Sequence, residues 1–214
     1  MTTIEMSRGW FFVLEGIDGS GKTSVCDQIF TTLLDQGFDV IRLREPTIES
    51  KWGKEIRDRS YRGELTPGEE LELFLKDRDW HIQNRILPAL RENKILLLDR
   101  YFFATGAYQS ASTGIHWSDI LRRNREEISA PEPDIVFILD VPVEIGLSRT
   151  QERKGKKNLQ FEQPERLMKV RKAYLEMAES DIGSFIVIDS TKSLEQVVEE
   201  VLALILHRIR EMDV

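Results

Sequence analysis

Eight consecutive residues constrain this chain more than any others. Gly16-Ile17-Asp18-Gly19-Ser20-Gly21-Lys22-Thr23, with Ser24 next in line, satisfy G-x-x-x-x-G-K-[ST] at every fixed position. A loop of this kind needs a strand to deliver it and a helix to receive it. Trp10 to Glu15 (WFFVLE) is dense in aromatic and branched side chains and reads as the strand. Lys22 to Gln36 reads as the helix, with Gly37 as its stop. The glycines let the backbone wrap closely around a polyphosphate, and inward-turned peptide N–H groups form an anion nest. The helix start adds its positive end. Lys22 is then placed to reach the β and γ phosphates, and the Thr23 hydroxyl to ligate Mg²⁺.

The rest of the chain alternates in the same way. Asp39–Leu43, Ile95–Asp99 (ILLLD), Asp134–Val141 (DIVFILDV) and Phe185–Asp189 (FIVID) read as further strands. The middle two are unbroken apolar runs, which suit strands buried on both faces of a parallel sheet. Thr66-Pro67-Gly68-Glu69 predicts a capped helix start, and that helix should run toward Arg91, shortened or kinked at Pro88. Ser193 should cap an amphipathic closing helix ending at Met212. The expected fold is α/β: a five-stranded parallel sheet with helices on both faces, in one domain spanning 1–214. Ligands on such a sheet bind at the carboxyl ends of the strands. Glu15, Asp99, Asp140 and Asp189 all fall there.

Composition narrows the function. The chain has 214 residues, 37 acidic and 30 basic, for a net charge of −7. That balance argues against a nucleic-acid partner or an anionic-membrane surface, and leaves room for a local basic pocket. No apolar run reaches a membrane span, and Met1 to Trp10, which contains Glu5, lacks the apolar core of a secretory signal. A single cysteine, Cys26, precludes an intrachain disulfide and fits a reducing, cytoplasmic setting. Its place inside the first helix reads as packing. Asn93-Lys94 continues as Ile95-Leu96, so the guanine signature of GTPases is missing, and the chain is short for a motor. On the phosphate loop alone, a small-molecule kinase is the class that fits best.

Beyond the loop, four blocks follow in order. Arg44-Glu45-Pro46 comes after the second strand. Phe74, Arg78 and His81 share one helix face at i, i+4, i+7. Asp99-Arg100-Tyr101 leads to Ala107-Tyr108-Gln109. Pro133-Asp134, Leu139-Asp140-Val141, Arg149, Arg153 and Phe161-Glu162 complete the set. Together with Glu15-Gly-Ile-Asp-Gly-Ser-Gly-Lys-Thr23, they resemble the thymidylate kinases over roughly residues 10 to 200. The resemblance implies a P-loop kinase fold with a small mobile lid at about 149–162, ATP as phosphoryl donor, dTMP as acceptor, Mg²⁺ as cofactor and a homodimer.

It also implies roles. Gly16 to Ser24 would hold ATP, with Arg149 and Arg153 reaching it from the lid. There is no arginine between Asp18 and Lys22, and members of the family built this way place the catalytic arginine in the lid; the basic run Arg149 to Lys157 (RTQERKGKK) fits that. Thr23 would bind the metal directly and Asp99 through water. Arg100 and Arg57 would clamp the acceptor phosphate, and Asp18 would face the sugar. Phe74 would stack on the base and Arg78 donate to a base carbonyl. Tyr108 would gate the sugar and Gln109 read the base. Glu45 and Glu162 would organise the acceptor end, and Asp189 to Lys192 lie near the adenine. The sequence departs from the family at Thr47-Ile48-Glu49-Ser50, where Gly-Gly-Thr is usual, and at Trp80 and Ala104. These positions leave dTMP, dUMP and other nucleoside monophosphates open as acceptors. A nucleoside kinase and a non-catalytic nucleotide-binding regulator are the rival readings.

Overall fold

The computed structural model describes residues 8–154, 164–181 and 183–212. Five strands form one sheet: β1 (Trp10–Glu15), β2 (Val40–Arg44), β3 (Ile95–Asp99), β4 (Ile135–Asp140) and β5 (Phe185–Asp189). Their order is β2-β3-β1-β4-β5, and every pairing is parallel. The unbroken apolar runs have the predicted cause: β3 is buried at every position and β4 at every position but Asp140.

The sheet is covered on both faces. Trp10, Phe12 and Leu14 point to one side, where α1 (Lys22–Asp35) and α9 (Leu194–Met212) supply Val25, Ile29, Leu33, Val201 and Ile205. Phe11 and Val13 point to the other, against α5 (Phe102–Thr113) and α8 (Pro164–Ser180), which supply Phe102, Phe103, Val170 and Tyr174. Helices α2 (Lys51–Tyr61), α3 (Pro67–His81), α4 (Leu87–Arg91), α6 (Trp117–Ile128) and α7 (Val143–Lys154) complete the described elements. The chain leaves central β1 for one side of the sheet and returns to β4 on the other. The crevice opened there lies at the strands' carboxyl ends. Register lines those ends up, with Leu14 opposite Asp99, Glu15 opposite Ile138 and Arg44 opposite Asp99.

Local signals explain most boundaries. Gly37, at φ 90°, ends α1 in a Schellman motif: Phe38 N donates to Leu33 O and Gly37 N to Leu34 O. Thr66 and Glu69 form the reciprocal capping box of α3. The helical path does reach Arg91, but through a π turn at Ile82–Ile86. Pro88 lacks an N–H and its ring crowds the carbonyl four residues back, so the ladder widens before it and Leu87 N bonds Ile82 O. Helices α2, α5 and α8 go beyond the elements read from the sequence.

Candidate active site

The phosphate loop joins β1 to α1 with Gly19 at φ 82° and Gly21 at φ 92°, a region side chains disfavour. A Cβ on Gly19 would fall 2.0 Å from the Gly146 carbonyl, so the loop packs backbone to backbone on α7. Gly21 offers no side chain to cap α1, and the first turn of α1 holds no acid. By contrast, Ser50, Thr66 and His116 cap α2, α3 and α6. Among the described residues the first N–H groups of α1 therefore have no side-chain acceptor, the arrangement an anion completes.

Lys22 is buried, and its Nζ donates to Gly16 O at 2.9 Å, Ile17 O at 2.7 Å and Ser20 Oγ at 3.2 Å. Burial, then the nearby Arg100 charge, lowers it to about 7 against the pull of Asp18, Asp99 and Glu15. Gly16, Ile17 and Ser20 thus form the buried back of the loop. Thr23 Oγ1 donates to Asp99 Oδ2 at 2.7 Å. The other Asp99 oxygen, Oδ1, is buried with no hydrogen-bond partner among the described residues. A hydroxyl and a carboxylate with a vacant oxygen are hard donors that fit Mg²⁺. Among the described residues no group of three metal-binding acids, histidines or cysteines exists, so phosphates and waters would fill the remaining positions.

Arg100 follows β3 at φ 72°, a left-handed backbone that costs a non-glycine residue about 1–3 kcal/mol. Its N–H bonds Leu14 O at 3.1 Å, its guanidinium pairs with Asp18, and it lies 5.1 Å from the Tyr108 ring centre. The Tyr108 hydroxyl accepts from Asp18 N at 3.1 Å, and burial pushes it up to about 12.

A cleft of about 570 Å³ lies beside the loop and brings together Asp18, Glu45, Arg57, Phe74, Arg78, Arg100, Tyr108 and Gln109. A second hollow, about 210 Å³, holds Gly19, Gly21, Lys22, Thr23, Ser24, Asp99 and Arg149. Asp18 and Arg100 line both, so the two spaces meet at that ion pair. A third, about 240 Å³, adjoins Gly21, Ser24 and Arg149 and is walled by Ser190, Lys192 and Leu194. Arg149 donates to Ser190 O at 2.9 Å there. Arg153 belongs to α7, and Glu162 lies outside the described residues. So does most of the expected lid, 155–162.

Asn124, Thr105 and Asp77 support these residues without a decisive signal in the sequence. Arg78 is fully buried, and four of its N–H bonds go to Glu45 (2.9 and 2.6 Å), Asn124 (2.6 Å) and Thr105 (2.9 Å), leaving one for a ligand. Glu45 also meets His81 Nδ1 at 3.0 Å. Burial would raise the Glu45 carboxyl, but Arg78 and His81 outweigh it and hold it below the ordinary range. Asp77 accepts from Thr47 N (2.8 Å), Thr47 Oγ1 (2.6 Å) and Ser50 Oγ (2.5 Å). Thr47 and Ser50, at the two ends of the stretch that departs from the family's Gly-Gly-Thr, are thus tied down by their own hydroxyls. Arg57 donates to Pro46 O in that loop; burial and then the neighbouring Arg44 charge lower its pKa, so an anion between the two would relieve them. Glu15 Oε1 accepts from Tyr101 N (2.7 Å) and Ala104 N (3.1 Å) at the start of α5, and Oε2 from the Tyr174 hydroxyl (2.8 Å). Only its position at a strand end hinted at this.

Comparison with known proteins agrees with this geometry. The family description "Thymidylate kinase" matches residues 14–201. A "Probable thymidylate kinase" of Archaeoglobus fulgidus is 45% identical over 188 residues, 88% of this chain and 90% of that protein. A thymidylate kinase of Xylella fastidiosa is 36% identical over 92% of this chain and 90% of its own length. One from Leptospira interrogans is 38% identical over 94% and 95%. With the match running from β1 into α9 and the phosphate loop, the Asp99-Arg100 corner and the acceptor cleft inside it, this chain belongs to the thymidylate kinase family.

Proposed function

We propose that this protein transfers the γ-phosphoryl group of ATP to dTMP, giving ADP and dTDP. The observation that carries the reading is the meeting of two anion-suited spaces at Asp18 and Arg100. One is built for a triphosphate. The other is a larger cleft lined by the cations Arg57, Arg78 and Arg100 and by the Phe74 ring.

The acceptor phosphate is already a nucleophile, so the chemistry needs alignment and charge neutralisation more than a strong base. Gly16 to Ser24 wrap the donor phosphates, and Lys22 turns from the loop carbonyls to the β and γ oxygens. Arg149 and Arg153 neutralise charge spread over the transferred group from a lid at about 149–162, which with the core forms one domain. Arg100 and Arg57 hold the acceptor phosphate in line, Asp18 and Tyr108 meet the sugar, and Phe74 stacks on the base. Arg78 directs its remaining N–H to a base carbonyl, and Gln109 reads the ring edge. Glu45 fixes Arg78, and Glu162 organises the acceptor end of the closed lid. Thr23, and Asp99 through water, would hold Mg²⁺, which neutralises the β and γ oxygens when bound. Ser190 and Lys192 wall the space where the adenine would sit. We extend the reading to a homodimer acting in the cytoplasm on small nucleotides, with no nucleic-acid or membrane partner; among the described residues no helix is long and apolar enough to cross a membrane.

The test is ADP formation from ATP and Mg²⁺ with dTMP, dUMP, dCMP, dGMP, UMP, CMP or thymidine, beside Lys22→Ala. Turnover selective for dTMP, with kcat falling about 10²–10³-fold in the variant, is expected. Turnover of thymidine but not dTMP would remove the acceptor-phosphate role of Arg100 and point to a nucleoside kinase. ATP binding without any turnover would point to a regulator.

A further inference from the structure

Glu70, Phe74 and Arg78 succeed one another at four-residue spacing along α3, and all three line the acceptor cleft. Gln109 approaches from α5, and its Nε2 donates to Glu70 Oε2 at 3.0 Å. The other Glu70 oxygen accepts from Ser60 Oγ at 2.6 Å. Ser60 and Gln109 also line the cleft. The Gln109 carbonyl oxygen, Oε1, is buried and has no hydrogen-bond partner among the described residues.

A side-chain amide has two ends of opposite character, and its orientation is set by its neighbours. A carboxylate only accepts, so it binds the NH₂ end of Gln109 and repels the carbonyl end. Ser60 holds that carboxylate in place. An unpaired buried carbonyl is destabilising, and a ligand N–H would relieve it.

We propose that Glu70, backed by Ser60, is a positioning residue for acceptor specificity. It locks the Gln109 amide with its carbonyl toward the base, so the cleft takes a pyrimidine that donates from N3, a thymine or uracil ring. Cytosine carries a bare acceptor at N3 and meets a second acceptor. Glu70, which holds the Gln109 amide, lies one turn before Phe74 on α3, and Arg78 lies one turn after it. This rests on the pyrimidine acceptor proposed above.

The test compares kcat/KM for dTMP and dCMP in wild type, Glu70→Gln, Glu70→Ala and Ser60→Ala. Glutamine at 70 can accept or donate, so the Gln109 amide becomes free to turn over. The dTMP-to-dCMP ratio should fall at least about tenfold in Glu70→Gln and Glu70→Ala and less in Ser60→Ala. The change should lie in the KM of the acceptor, rising for dTMP and falling for dCMP, with the KM for ATP unmoved. Calorimetric binding of dTMP and dCMP to the same variants should shift in the same sense. A parallel loss for both acceptors, or an unchanged ratio, would overturn the proposal and leave Glu70 a structural residue. If wild type fails to phosphorylate dTMP, the functional reading falls separately, and the binding ratio still decides the role of Glu70.

Discussion

The Asp77 carboxylate takes three hydrogen bonds from Thr47 and Ser50, and Ser50 in turn caps α2 at Gly53 N. One buried side chain therefore anchors both the loop after Pro46 and the helix that carries Arg57. Asp77→Ala strands three donors, so unfolding free energy should fall by on the order of 3 kcal/mol in a urea titration, with a raised KM for the acceptor. Asp77→Asn, which keeps the shape, should lose much less. Glu15 gives a second residue-scale prediction. Burial, outweighing Tyr101 N–H, Arg100 and Tyr174, raises its carboxyl to about 7. A raised carboxyl favours the protonated folded state, so its contribution is complete below the ordinary value of 4.5 and lost as pH climbs through about 7. Glu15→Gln keeps the acceptor for the α5 N–H groups and removes the titration. Its thermal stability relative to wild type should rise between those two pH values, with a limiting slope of about 1.4 kcal/mol per pH unit, and level off above them. A flat difference would contradict the shift.

At the scale of elements, the phosphate loop works because two backbones touch. Gly19→Ala adds a Cβ 2.0 Å from Gly146 O at φ 82°, whereas Gly21→Ala, at φ 92°, meets nothing nearer than Ser190 Oγ at 3.8 Å. Both carry the left-handed penalty, but only the first must push α7 away. ATP affinity should drop by at least about tenfold more in Gly19→Ala than in Gly21→Ala, by equilibrium titration. The same comparison shows what could be read without a structure. The loop, the five strands and the capped start of α3 were legible because a fixed spacing, unbroken apolar runs and a Thr-Pro-Gly-Glu cap each have one local cause. Helix α5, FFATGAYQSAST, was not: its small residues form no apolar stripe, and its start is held by Glu15, more than eighty positions away in the chain. Asn124 was missed for the same reason, since it meets Arg78 only after α6 has packed on α3 and α5. The π turn before Pro88 was foreseen as a kink, and its widened geometry depends on packing that the sequence does not state.

Over the whole molecule, an acidic chain of net charge −7 concentrates Lys22, Arg44, Arg57, Arg100 and Arg149 around one crevice. Those cations come from five separate stretches that only the parallel sheet aligns. Acidic surface elsewhere makes that crevice the place best suited to anionic ligands. The eight described residues that the family resemblance assigned to the acceptor share one cleft, which separate sequence blocks could suggest only through that resemblance. The central claim is direct transfer between the two spaces that meet at Asp18 and Arg100. It is tested most directly by incubating the protein with [γ-³²P]ATP, Mg²⁺ and dTMP and resolving the labelled products. Label in dTDP, in step with ADP and with none released as inorganic phosphate, is the expected result. Label in inorganic phosphate, or none leaving ATP while dTMP is bound, would contradict it.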